Sequence, residues 1–425
     1  MADSIEEICK GKGKKNDNLE TLTINNFGGI KSATFNIKKV TVLIGPQGSG
    51  KSVAAKLLYY FRTLLNGFKS YSLSPYPFRH YCDNQINDFY KYFPKDAWPE
   101  EEFEISYCIA GFKILIKKNK QEIDLLFPEN TEKKYNAIQE YLNADEEIVS
   151  SIFDNSIRER KALTILQQEN IPTIKNWIPI IPAGRSYFST IHRSIYRLIN
   201  NGATFDPFLT IFGQYYQDYK DDYFKKYSQE KTVVKALESI LQAKLTTDGQ
   251  QDYLVHSDGR RVKLFNASSG QQEVLPMLFV LDAAISHENS ILDTIFIEEP
   301  EAHLFPNAQK KIVELLAQVY NVNVEKAGVF ITTHSPYILA SFNNLLEAGK
   351  LKKAMPEKAE AINAIVPENE QIDPDDFCAY SLENGEVTSL MDEESGLINA
   401  TILDSVSNEI SQEFGELLDI EFGDE

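Results

Sequence analysis

Four short stretches of the 425-residue chain carry residue types at spacings suited to chemistry on a phosphorylated ligand. The first, Gly45-Pro-Gln-Gly-Ser-Gly-Lys-Ser52, has the spacing GxxxxGK[ST]. An apolar run, Val40 to Ile44, precedes it, and a helix-like stretch, Val53 to Leu65, follows; this is the context that a phosphate-binding loop requires. Gly45, Gly48 and Gly50, with Gln47 and Ser49 between them, let the backbone wrap a phosphate chain. Amide groups and a helix N-terminus then point at the anion. Lys51 is placed to reach β- and γ-phosphates, and the Ser52 hydroxyl to hold Mg²⁺. The competing reading is a plain glycine-rich turn, and the flanking strand and helix argue against it.

The second stretch, Thr294-Ile-Phe-Ile-Glu-Glu-Pro-Glu301, is an apolar strand ending in carboxylates, the pattern of a Walker B motif. Glu298 is expected in the metal shell, and Glu299 is expected to polarise the attacking water. Acidic residues after a strand also suit a solvated loop; a phosphate loop in the same chain tips the balance. The third stretch, Val329-Phe-Ile-Thr-Thr-His-Ser-Pro336, brings His334 to the end of another apolar strand, where it could meet a γ-phosphate or serve structure alone. The fourth, Asn266-Ala-Ser-Ser-Gly-Gln-Gln-Glu273, opens a helical run, Val274 to Ala284. Ser268, Ser269, Gly270 and Gln271 can form an anion site at that helix start, or simply cap it.

Several elements must position these groups. Strands are expected at Leu22 to Asn25, Ala33 to Ile37 and Val40 to Ile44, with a hairpin of Phe103 to Cys108 and Phe112 to Ile116 around Ala110-Gly111. Helical patterns fill about 120 to 247, interrupted by one apolar strand, Trp177 to Ile181. Within them Tyr216, Tyr219, Tyr223 and Tyr227 recur at helical spacing, as a packing face or as a surface that could stack bases. Asp252 to His256 and Arg260 to Phe265 form strands about a Ser257-Asp258-Gly259 turn. Further strands are expected at Thr294 to Ile297, Val329 to Thr332, Ala361 to Val366 and Ala379 to Leu382.

Composition bounds the rest. Hydrophobic residues make up 43% and charged residues 25%, enough for a packed core of two or three lobes. Cys9, Cys82, Cys108 and Cys378 are scattered and form no CxxC pair, as expected of reduced thiols in the cytoplasm. No signal peptide or membrane span is read, so a cytoplasmic protein is expected. The net charge is −19, yet 19 acidic residues lie after Lys358, where Lys and Arg are absent, so the body is neutral. Local basic clusters such as Lys113, Lys117, Lys118 and Lys120, or Arg260, Arg261 and Lys263, therefore remain candidates for weak DNA binding. The tail shows Ile398, Ile402, Val406, Ile410, Phe414, Leu417 and Leu418 near helical spacing among carboxylates. That pattern suits packing on its own lobe or docking to a basic partner.

The order GPQGSGKS, ASSGQQE, IFIEEPEAHLFP, ITTHSP resembles the ATPase head of the ABC superfamily in its SMC/RecF/OLD branch. The opening Ile24-Asn-Asn-Phe-Gly-Gly-Ile-Lys-Ser is similar to the start of such heads, and EEPEAHLFP resembles OLD-type anti-phage ATPases of the Gabija, Septu and PARIS kind. The likeness implies an α/β ABC-type P-loop ATPase head, a two-lobed mixed sheet with flanking helices, carrying a helical insertion. Its parts would be a flexible start (1–18), an N-terminal lobe with the P-loop (19–119), the insertion (120–247), a C-terminal lobe (248–391) and an acidic tail (392–425). Departures accompany it: Glu298 stands where Asp is commoner, and Ser269 replaces the first glycine of the signature. No Q-loop glutamine is evident. Ile180-Ile-Pro-Ala-Gly-Arg-Ser186 occupies that place, so Arg185 either faces the nucleotide or makes a surface salt bridge. Toprim, HNH and zinc-site patterns are absent, so cutting would fall to another chain.

By this resemblance the chain binds ATP and Mg²⁺ as a homodimer or higher homo-oligomer. Ser268 and Gly270 of one copy would cap the nucleotide held by Lys51 of the other. Three functions follow from the likeness: an anti-phage ATPase controlling a separate effector such as a nuclease, a RecF-like clamp on DNA, or an ATP-locked scaffold that hydrolyses slowly. No membrane partner is expected.

Overall fold

The computed structural model describes residues 20–120, 122–144, 155–175, 177–190, 206–226, 232–249, 251–286, 292–322 and 325–399. Residues 1–18, read above as a separate start, Tyr227 and the tail from residue 400 on lie outside the described residues. In chain order the strands are β1 (Glu20–Phe27), β2 (Ile30–Ile37), β3 (Val40–Ile44), β4 (Glu104–Ile109), β5 (Phe112–Asn119), β6 (Glu122–Leu126), β7 (Ile180–Ile181), β8 (Lys244–Thr247), β9 (Asp252–Val255), β10 (Arg261–Lys263), β11 (Thr294–Glu298), β12 (Gly328–Thr333), β13 (Phe377–Glu383) and β14 (Glu386–Ser389). The helices are α1 (Lys51–Ser72), α2 (Phe78–Tyr92), α3 (Thr131–Ala144), α4 (Asn155–Gln168), α5 (Tyr187–Thr190), α6 (Pro207–Lys226), α7 (Thr232–Leu241), α8 (Ser269–Ser286), α9 (Pro306–Asn321), α10 (Pro336–Ala354) and α11 (Ala359–Asn363).

Eleven strands form one mixed sheet in the order β6-β5-β4-β1-β2-β14-β13-β3-β12-β11-β7. The half that carries the motifs is parallel: β3 lies between β12 and β13, and β11 between β12 and β7. The other half is antiparallel, through β1, β2, β4, β5 and β6. The α/β class expected from the sequence is the class found.

The apolar runs of the parallel strands follow from burial on both faces. Val42, Ile297, Ile331 and Ala379 point into one core, with α8, α9 and α10. Leu43, Phe296, Phe330 and Tyr380 point into the other, against α1. This alternation of period two fixes which helix lies on which face. The tyrosine stripe serves packing: Tyr216 and Tyr223 are buried, with ring centroids 5.9 and 5.2 Å from Phe279 of α8. Tyr219 accepts a hydrogen bond from the Trp177 indole at 2.7 Å.

A buried ionic knot ties three parts together. Arg62 of α1 donates Nε and Nη2 to Glu20 of β1, at 3.1 and 2.6 Å, and Nη1 to Asp293 and Thr294 at the start of β11. Tyr107 of β4 adds a bond to Glu20 at 2.7 Å. Although burial alone lowers it, Glu20 and then Asp293 hold the Arg62 pKa above its ordinary value.

Some expectations are corrected. Ala361 to Val366 is no strand: α11 covers Ala359–Asn363, as Ala-Glu-Ala-Ile-Asn lacks apolar alternation and favours helix, and Pro367 follows. The stretch read as helical holds β6 and β8 at its two ends. Trp177 to Ile181 shrinks to β7, because Pro179 and Pro182 offer no N–H to a ladder. Within the stretch read as the acidic tail, Ile398 is 3% exposed and its backbone pairs with the Asn343 side chain of α10 at 2.8 and 3.0 Å. Among the described residues, Cys82, Cys108 and Cys378 are in no disulfide. Among the described residues no helix is long and apolar enough to cross a membrane.

Candidate functional site

The loop from Gly45 to Ser52 joins β3 to α1, and Gly50 caps that helix at φ +99°. A Cβ there would come 2.6 Å from the Ile30 side chain, so only glycine suits both the dihedral and the space. Gly45 is equally confined, since a Cβ would meet the Leu382 carbonyl at 2.3 Å. Pro46, Gln47 and Gly48 face solvent. No side chain caps α1 and its first turn has no acidic residue, so the dipole end stands open to an anion. Lys51 is 5% exposed and folds back to donate to the carbonyls of Gly45 at 2.7 Å and Pro46 at 2.8 Å. Burial lowers its pKa, opposed by the charges of Glu299 and Glu301. The phosphate loop and the carboxylates thus share one sheet edge.

At that edge Ile44 is in register with Thr333, and Thr332 with Glu298. Glu298 is 4% exposed; its Oε2 accepts the Ala183 amide at 3.0 Å, while Oε1 has no hydrogen-bond partner and lies 4.0 Å from Lys56 Nζ. Lys56 stands one turn after Ser52 on α1, so the Ser52 face of the helix is turned to Glu298. Glu299 has φ +45° and donates its amide to the Thr332 carbonyl at 2.8 Å; its Oε1 is 3.4 Å from His334 Nε2. Glu301, to which the sequence reading gave no role, accepts the His334 amide at 2.7 Å. Ser335 then caps α10 and donates to Gln309 Oε1 at 2.6 Å, fixing the turn that carries His334.

Buried polar atoms are normally hydrogen-bonded. Here Glu298 Oε1, Glu301 Oε2 and Thr332 Oγ1 are buried without partners, all at the carboxyl ends of β11 and β12. Orphaned oxygens beside a lysine-bearing glycine loop fit a hard cation and a phosphate chain. Among the described residues no group of three or more His, Cys, Asp or Glu could hold a metal by itself.

Ser268 caps α8 reciprocally: its Oγ accepts the Gln271 amide at 3.3 Å, while Gln271 Oε1 accepts the Ser268 amide at 3.2 Å. Both serines are exposed, and Gly270 packs so that a Cβ would lie 2.6 Å from the His303 carbonyl. The cap is local to residues 268–271, and the packing of Gly270 runs to the turn after β11.

Arg185 requires correction. It makes no surface salt bridge: it is 0% exposed, and its guanidinium donates to the carbonyls of Pro182, Glu273, Glu298 and Glu299 at 2.7 to 3.2 Å. Burial lowers its pKa, and Glu273 foremost opposes that. The basic clusters are also partly engaged. Lys118 donates to three backbone carbonyls, of Pro99, Glu100 and Glu101, and Lys117 pairs with Glu104 at 2.8 Å. On the small sheet β8–β10, Arg260 pairs with Asp258, and Arg261 lies 3.7 Å over the Tyr253 ring.

A family model described as "AAA domain, putative AbiEii toxin, Type IV TA system" matches residues 40–340. Among solved structures, the chain is similar to the Smc head domain with an extended coiled coil bound to the C-terminal domain of ScpA from Pyrococcus furiosus. That match has 12% identity and TM-score 0.39, covering 92% of this chain and 99% of that one. It is also similar to the SMC head domain from Thermotoga maritima, with 9% identity and TM-score 0.33, over 76% of this chain and 92% of that one. The recombination mediator protein RecF matches with 12% identity and TM-score 0.35, over 88% and 98%. No curated protein matches.

Proposed function

The chain belongs to the family described as AAA domain, putative AbiEii toxin, Type IV TA system, and from that premise we propose that it is an ABC-type ATPase that closes as a dimer around ATP and Mg²⁺ and controls a separate effector, a nuclease, in bacterial anti-phage defence. The observation that carries the ATPase reading is the cluster of Lys51, Glu298, Glu299 and His334 around orphaned buried oxygens at one sheet edge.

Each residue then has a task. The amides of Gln47 to Gly50 bind the phosphates. Lys51 exchanges the Gly45 and Pro46 carbonyls for phosphate oxygens. Ser52 and Glu298 would hold Mg²⁺, which would offset the negative charge of the phosphates. Glu299 takes the proton of the attacking water, and His334, 3.4 Å away, orients that carboxylate and senses the γ-phosphate. The exposed start of α8, with Ser268, Ser269, Gly270 and Gln271, caps the nucleotide of a second copy.

The defence role rests on the family description and on the motif order. A second reading, a DNA clamp, is favoured by the cationic face of β10, where Arg261 stacks on Tyr253 beside Lys263. The test combines ATP turnover, light scattering with and without ATP, and plaque counts on bacteria carrying this gene with its neighbours. Turnover, ATP-dependent dimerisation and protection lost in Lys51→Ala support the proposal. An unsubstituted protein that leaves ATP intact refutes the ATPase reading. Protection that survives Lys51→Ala refutes the coupling of ATP to defence.

A further inference from the structure

Residues 182 to 189 form a strap between the start of α8 and the end of β11. Ala183 donates its amide to Glu298 Oε2 at 3.0 Å, Ser186 donates its amide to Glu273 Oε2 at 3.2 Å, and Ser189 donates its hydroxyl to the Gln272 carbonyl at 2.7 Å. Arg185 sits at the centre of this strap. Nε donates to the Glu273 carbonyl at 3.1 Å, Nη1 to the carbonyls of Pro182 at 3.2 Å and Glu298 at 2.7 Å, and Nη2 to that of Glu299 at 2.9 Å. Glu273 Oε1 completes the set as an ion pair at 3.7 Å.

The Glu299 peptide units are therefore held on both sides. The amide goes to Thr332 and the carbonyl to Arg185, and between them the residue keeps φ +45°, a region that side chains other than glycine, Asn and Asp rarely adopt. A flat fork of donors spans acceptors on three segments, which the single ammonium of a lysine cannot do.

We infer that Arg185 is a positioning residue that sets the left-handed turn of Glu299 and locks it to α8, so that seating the Ser268 end of α8 on a nucleotide and aiming the hydrolytic carboxylate are one movement. Gly270, pressed on the His303 carbonyl, is the second point of contact between the same two parts. The inference rests on the ATPase reading above and adds to it a coupling between the two halves of the composite site.

The test measures ATP affinity and turnover for Arg185→Lys and Arg185→Ala beside the unsubstituted protein, with ethylguanidinium added to Arg185→Ala. The Arg185 donors go to Pro182, α8 and the end of β11 rather than to Lys51, so ATP affinity should stay within about threefold, while turnover falls by roughly 100-fold, the cost of a misplacement near 1 Å. Ethylguanidinium should restore at least about tenfold of that loss. Turnover of Arg185→Lys equal to that of the unsubstituted protein overturns the inference alone. Affinity and turnover falling together also overturn it, because the residue is then merely structural. An unsubstituted protein that binds no ATP or does not turn it over removes the ATPase reading and this inference with it. If Arg185→Ala fails to fold, Arg185→Lys, which keeps the charge, decides.

Discussion

Replacing Arg62 by methionine tests whether the ionic knot holds the P-loop helix to the sheet. Methionine keeps much of the stem but none of the five donors. Glu20 loses partners at 3.1 and 2.6 Å and keeps the Tyr107 hydroxyl at 2.7 Å. Asp293 keeps Thr294 at 3.0 Å and the Lys175 amide at 3.3 Å, so Glu20 bears most of the loss. Its side chain is only 11% exposed, so water can replace little. Breaking a buried pair from one side costs about 3–5 kcal/mol, and we expect a loss in that range. Adding Glu20→Gln to Arg62→Met removes the stranded charge and should recover at least ~1 kcal/mol. Urea unfolding followed by the fluorescence of Trp98 and Trp177 gives both numbers, with the slope unchanged. A loss below ~1 kcal/mol, or a double variant no more stable than the single one, would refute the reasoning.

Other outcomes follow from the same geometry. Lys51→Ala should weaken binding of a fluorescent ATP analogue by roughly 100-fold or more, the worth of two charge-assisted bonds to phosphate. Glu299→Gln should leave that binding intact and slow single-turnover hydrolysis by about 10²–10⁴-fold; normal turnover would shift the proton-accepting role to Glu298. Gly270→Ala, whose Cβ would lie 2.6 Å from the His303 carbonyl, should cost about 1–3 kcal/mol in thermal or urea unfolding. A chain ending at Leu390 should be less stable by about 2–5 kcal/mol than one ending at Asn399, since it loses buried Ile398 and its two bonds to Asn343.

The parts of the site legible in the sequence are those whose residue types act locally. GPQGSGKS needs its glycines wherever it sits, and the runs Val40 to Ile44, Thr294 to Ile297 and Val329 to Thr332 could only be strands buried on both faces. The missed parts depend on acceptors far along the chain. Besides that of Pro182, the Arg185 guanidinium meets backbone carbonyls 88 to 114 positions away, and carbonyls carry no mark in a sequence. Glu301 was visible as a third acid of EEPE, yet only the folded strands bring the His334 amide to it. β6 was absorbed into a helical stretch because Glu-Ile-Asp-Leu-Leu has too few alternations to stand out beside the patterns that follow. Charge groups Ile398 with the acidic tail, while its burial follows from the Asn343 side chain of α10 and from the bond of the next residue, Asn399, to the Leu390 carbonyl.

The two outermost strands of the sheet bear on how copies of this chain can meet. An open sheet offers its rims as templates for strand-on-strand aggregation. Here one rim, β7, is two residues long, with Pro179 before it and Pro182 after it, both lacking the amide hydrogen that a docking strand would need. The other rim, β6, turns Glu122 and Asp124 to solvent, so a second β6 laid alongside would bring like charges together. Lateral growth into a fibre is thereby discouraged at both rims. Under the proposed function, copies would instead meet at the surface where the parallel strands end, and there contact would be gated by a small molecule.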